Sequence, residues 1–168
     1  MNAFIQNTRL RLVGALCCTS LLLTACYDAS DSVADSKAAV ALAQRFLTGL
    51  DTGKSDDLIA ISTVPFWGDG ELLLEQAEFE KEVRSEAARA GHRMTAFRAS
   101  HVVPFAEMEA LDAEIYHKLG EKMATEGLYA VFLAVESKGI SNRVNAESLL
   151  VLVRKSPAGE WRVVGIDD

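Results

Sequence analysis

Residues able to do chemistry are few in this chain, and their spacings exclude more than they offer. Glu114-Ile115-Tyr116-His117 is a Glu-x-x-His pair, the spacing used by di-iron carboxylate bundles. Those sites need a second pair and two more glutamates, so this pair reads as a solvated helix face. Neither a His-Glu-x-x-His motif nor a calcium-binding loop occurs, and no metal or other cofactor is expected. Gly49-Leu50-Asp51-Thr52-Gly53-Lys54-Ser55 looks like a phosphate-binding loop. The genuine motif has four residues between its glycines and follows a strand, whereas this one has three and follows a helical pattern. It is expected to be a helix-ending turn. No Gly-x-Ser-x-Gly elbow is present, and His92, His101 and His117 show no triad context. No catalytic residue is assigned. His101 stands out because strict alternation puts it on one strand face with Phe97, Ala99 and Val103. An imidazole there could act as acid or base, or simply be a hydrogen-bonded core or rim residue.

The elements that must position these residues follow from periodicity and turn chemistry. Lys37 to Leu50 is predicted helical, with Val40, Ala43, Leu47 and Leu50 in one stripe widened by Phe46. Ser36 or Asp35 can cap its start, and Asp51-Thr52-Gly53 can end it. Ser55 is a candidate N-cap for a short helix with Asp56 and Asp57 in its first turn. Pro65 ends whatever precedes it, and Gly68-Asp69-Gly70 is a turn. Glu75 to Ala90 is a second long helix that buries Phe79, Val83, Ala87 and Ala90, pairs Glu80 with Arg84, and stops at Gly91. A strand is predicted over Met94–Val103 and a helix over Glu107–Met123, with Met108, Leu111, Ile115 and Leu119 on one side. The period then changes. Leu128–Glu136, Asn145–Lys155 and Glu160–Ile166 are strands, the last two joined antiparallel through Ser156-Pro157-Ala158-Gly159. Helices first and strands gathered last give an α+β class with an antiparallel sheet.

The N-terminus supplies an address. Arg9 and Arg11 precede an apolar run from Leu12 to Leu23, and no acid lies upstream. The run is too short for a transmembrane helix, which needs about 20 apolar residues. It ends in Leu23-Thr24-Ala25-Cys26, which resembles the lipobox of bacterial lipoproteins. That resemblance implies a signal peptide, 1–25, cut before a diacylated Cys26 that attaches the chain to a membrane. Residues 26–36 are small, polar and acidic and read as a flexible tether with a reach of roughly 18 Å. The domain then spans 37–168. Tyr27, not aspartate, follows the cysteine, which points to the periplasmic face of the outer membrane. Cys17 and Cys18 leave with the signal, so the mature chain has neither thiol chemistry nor a disulfide. Loss of Arg9 and Arg11 takes the formal charge from −7 to about −9, so nucleic acid is an unlikely partner on electrostatic grounds.

The element order, Arg45-Phe46-Leu47-Thr48-Gly49-Leu50-Asp51-Thr52-Gly53 and the terminal Glu160-Trp161-Arg162-Val163-Val164-Gly165-Ile166 together resemble the NTF2-like (cystatin-like) superfamily. The resemblance covers about Lys37 to Asp168. It implies N-terminal helices in the concave face of a curved antiparallel sheet, a cone with a pocket between them. Glu107–Met123 would be an inserted helix. The implied pocket residues are His101, Trp67, Asp69 and Phe97. Isomerases of the superfamily pair an inward aspartate with a tyrosine on the first helix; this helix offers only Phe46, which argues against their proton transfer. The expectation is therefore a domain that binds a small ligand or an envelope protein without catalysis. The rivals are an enzyme using His101 with Asp69 on a small hydrophobic substrate and a homodimerising assembly subunit. Fold alone does not choose among them.

Overall fold

A computed structural model describes residues 28–68, 70–90, 94–138 and 144–167. The chain divides into two compact units, Met1–Ala34 and Asp35–Asp168. Of the first, the described residues, 28–34, are helical; Cys26 and the expected signal peptide, 1–25, lie outside the described residues. No helix among the described residues is long and apolar enough to cross a membrane.

Helix α1 is Asp28–Asp51, α2 is Ser55–Ile61, α3 is Gln76–Ala90 and α4 is Ala113–Lys122. The strands are β1 Ser62–Gly68, β2 Glu71–Leu73, β3 Met94–Pro104, β4 Leu128–Lys138, β5 Val144–Lys155 and β6 Trp161–Asp167. They form one sheet in the order β2-β1-β6-β5-β4-β3. The class is α+β, as expected, but the sheet is mixed and not antiparallel. Hairpins make most neighbours antiparallel, whereas β1 and β6 run parallel. Those two strands are far apart in sequence, so no turn dictates their direction. Gly165 permits their close approach, because a Cβ there would lie 2.8 Å from Trp67 Cβ and 2.9 Å from Leu152 Cδ1.

Three local expectations are corrected. The supposed flexible tether is helical over its described residues, 28–36. Ser55 is the first residue of α2 and not its cap; Lys54 holds the cap position. The predicted helix Glu107–Met123 is split into a 3₁₀ helix, Phe105–Ala110, and α4. Asp112 causes the break. It is extended, and its carboxylate accepts a hydrogen bond from the Ile115 amide at 3.0 Å, an N-cap that starts a new helix.

Apolar side chains are buried on both faces of the sheet. On one face Ala39, Ala43, Phe46 and Leu47 of α1, Leu58 of α2, and Phe79, Val83 and Ala87 of α3 pack against Phe66, Val131, Leu133, Val135, Val151 and Val153. On the other, Phe105 and Met108 of the 3₁₀ helix and Leu119 of α4 cover Trp67, Ala130, Leu150, Leu152 and Val164. The segment expected as an insertion is thus the cover of the second face. This explains why Leu128–Val135 is almost wholly apolar: a strand covered on both sides has no polar alternation.

Candidate functional site

Of the four expected pocket residues Asp69 lies outside the described residues, and Phe97, Trp67 and His101 do not share one sheet face. Phe97 pairs with Val135 and Ala99 with Leu133, so both face α1–α3. The register then slips between Ala99 and His101, and His101 pairs with Phe132. That extra residue reverses the alternation, as a bulge must. His101 therefore lies exposed on the face opposite Phe97 and Ala99. Ser100, at the bulge, donates its hydroxyl to the Phe132 carbonyl at 3.1 Å. Trp67 is on the second face, fully buried, and its indole Nε1 donates to Asp167 at 2.7 Å. Lys122 Nζ lies 5.2 Å from the indole centroid. Asp167 is the member of this group that sequence reasoning missed; a buried indole N–H needs an acceptor, and that is its only signal. Asp69, Gly91 and His92 lie outside the described residues.

On the first face three aromatic rings pack together beneath the helices. Phe66 stands 4.8 Å from Phe79 and 6.2 Å from Phe46 between centroids. Among the described residues the sole buried polar residue is Ser62. Glu114 and His117 point outward, each with a surface partner. Lys118 Nζ donates to Glu114 at 2.6 Å, and His117 Nε2 lies 3.6 Å from a Glu109 oxygen. The Lys118 hydrogen bond and charge hold the Glu114 carboxyl below its ordinary pKa, and the same bond with the Glu114 charge raises that of the ammonium. The expected Glu80–Arg84 pair is replaced by a link between helices: Arg84 Nη1 donates to Asp56 at 2.7 Å, and Glu80 accepts from Gln76 at 2.9 Å.

A cleft of about 230 Å³ opens where α1 ends and α2 begins. Arg45, Thr48, Lys54 and Asp57 line it above Leu58 and Ile61. The segment Gly49–Ser55 is a helix-ending turn, as its spacing indicated. Gly53 has φ +69°, and the Gly53 and Lys54 amides donate back to Leu50 and Gly49. Gly49 allows α2 to approach, since a Cβ there would lie 2.8 Å from Leu58 Cδ2.

At the other end of the sheet, Lys155 Nζ donates to both oxygens of Asp35 at 2.6 and 2.9 Å, and Tyr129 donates to the same carboxylate at 3.3 Å. Burial, then the Asp35 charge, raises the Tyr129 pKa above its ordinary value. The folded state therefore favours the protonated phenol. That contribution is complete below the unfolded tyrosine pKa of about 10 and is lost as pH rises through the higher folded value. Tyr129→Phe is expected to flatten the alkaline fall of the melting temperature above about pH 10. Identical alkaline slopes in the two proteins would contradict the assignment.

No family model and no curated protein matches the chain. Among solved structures it is similar to a ketosteroid isomerase-like protein from Erwinia carotovora atroseptica, at 21% identity over 76% of this chain and 91% of that one, TM-score 0.47. A conserved protein from Planctomyces limnophilus matches at 16% identity over 80% and 94%, TM-score 0.46. Aln2 from a Streptomyces species matches at 11% identity over 76% and 84%, TM-score 0.46.

Proposed function

We propose that this chain is an envelope lipoprotein, anchored by acyl chains on Cys26, whose NTF2-like domain works by binding a ligand or a partner protein and not by catalysis. The observation that carries the second half is the packing of Phe46, Phe66 and Phe79 where an NTF2-like enzyme would hold its substrate. The exposure of His101 on the opposite face supports the same reading, because it removes the imidazole from that interior. The helices on one sheet face and the final Trp161-to-Asp167 strand agree with the NTF2-like assignment. Tyr27 after the cysteine supports the periplasmic face of the outer membrane as its place.

The test is His101→Gln. A surface substitution away from packing or hydrogen-bonded networks typically changes stability by less than about 0.5 kcal/mol. The variant is expected to melt within about two degrees of the parent and to complement a deletion phenotype at equal protein level. An essential acid or base would instead cost about 10²–10⁴-fold in rate. A stable, abundant His101→Gln protein without function overturns the binding reading and restores the enzyme. One observation favours the dimerising reading as the second choice: Arg98, Ala134 and Ser148 pair side by side across β3, β4 and β5, and all are exposed.

A further inference from the structure

We propose that the end of the sheet carrying Tyr129, Lys155 and Trp161 rests on the membrane that holds the acyl chains, and so fixes which side the domain turns toward the bilayer. This deepens the binding reading by giving the domain a lipid surface to bind, and it rests on the lipid anchor at Cys26.

The chain connection is the first argument. Asp35 is the first residue of the compact unit Asp35–Asp168 and stands nine residues after Cys26. Even fully extended, nine residues span at most about 32 Å. Asp35 is also fixed where the chain enters the unit. Its side chain is only 17% exposed, and its carboxylate accepts from Lys155 and Tyr129. The residues around that carboxylate are thus joined to the anchor by the shortest run of chain in the unit.

Side-chain chemistry says what this end suits. Lys155 and Trp161 are cross-strand partners at the base of the Ser156–Gly159 hairpin. The Trp161 ring lies 5.3 Å from that of Tyr129 between centroids, and Lys155 Nζ lies 5.9 Å from the indole centroid. Tyr129 and Trp161 are both half-buried, packed on the first-face core and still partly open to solvent. Rings of this kind, apolar in body and polar at one end, collect where lipid headgroups meet acyl chains. A lysine beside them can lay its stem along apolar surface and keep its ammonium in water.

Charge allows the contact. The chain as a whole carries −7, which opposes approach to anionic lipid. At this end the acids are answered: Asp35 pairs with Lys155, and Glu160 has Arg162 at 3.9 Å. The exposed hairpin residues Pro157, Ala158 and Gly159 carry no charge. The acyl chains therefore supply the affinity, and the aromatic end supplies the orientation.

The experiment places the full-length acylated chain in phosphatidylcholine vesicles, with and without bromine on the lipid tails, and first checks by flotation that the chain is on them. Bromine quenches an indole that reaches the lipid, so emission is expected to fall in the brominated vesicles. Trp161→Phe keeps a ring in the packing and is expected to abolish the fall, because the remaining indole, Trp67, is fully buried. A second reading does not depend on that variant. Ala158→Cys puts a thiol on the exposed hairpin, and a nitroxide attached there is expected to collide more with oxygen, which concentrates in lipid, than with a water-soluble nickel complex. An unquenched wild type on floating vesicles, a fall that persists in Trp161→Phe, or a nitroxide that favours the nickel complex overturns the docking and leaves the lipid anchor in place. A chain that does not float with the vesicles overturns both.

Discussion

Replacing Cys26 with serine is expected to abolish acylation and to leave the chain uncut or released into soluble fractions. Serine keeps the size of the residue but lacks the sulfur that carries the diacylglyceryl group in lipoproteins. The effect is all or none because anchoring is cumulative. Each buried methylene contributes about 0.8 kcal/mol, a single chain holds only marginally, and two hold stably. The formal charge of −7 opposes attraction to anionic lipid, so net charge does not substitute for the acyl chains. Metabolic labelling with a palmitate analogue checks this directly. Equal label on the wild type and on Cys26→Ser would remove the lipoprotein assignment.

The largest expected loss of stability comes from Phe79→Ala. Phe79 is fully buried on α3, with its ring against that of Phe66. Truncation removes the transfer energy of the ring and leaves a cavity that the two flanking elements cannot close without moving. Such substitutions typically cost about 3–5 kcal/mol. In a unit of this size that corresponds to a fall in melting temperature of roughly 10–20 °C. Leu111→Ala is the control, because Leu111 is exposed between the 3₁₀ helix and α4 and should change little. A fall of less than about three degrees in Phe79→Ala would mean that the α3–sheet interface is not packed as described.

What was legible in the sequence is what a few neighbouring residues decide. Phe79, Val83 and Ala87 fall on one face of α3 because a helix repeats every 3.6 residues, and all three are buried. Ser156–Gly159 makes a hairpin because Gly159 can take φ +84°, and β5 and β6 pair through it as expected. Gly53 ends α1 for the same reason. The α+β class follows from the order of such local elements.

Tertiary structure decided the rest, and the reason is that side-chain direction and strand partnership are not local. Alternation assigned His101 to the face of Phe97, and one extra residue at Ser100 reversed it, because a period of two turns any single insertion into a change of face. Trp67 and Phe66 are neighbours in β1, yet only their strand's placement beside β6 and β2 settles which one meets the helices. The direction of β6 against β1 was equally invisible, since no turn joins them. Arg84 chose Asp56, twenty-eight residues away, over Glu80 on its own helix, because α2 packs alongside α3. The cleft at Arg45 and Lys54 exists for the same reason: residues of a helix and of the segment after its terminating turn share one wall only once α2 has folded back against Gly49.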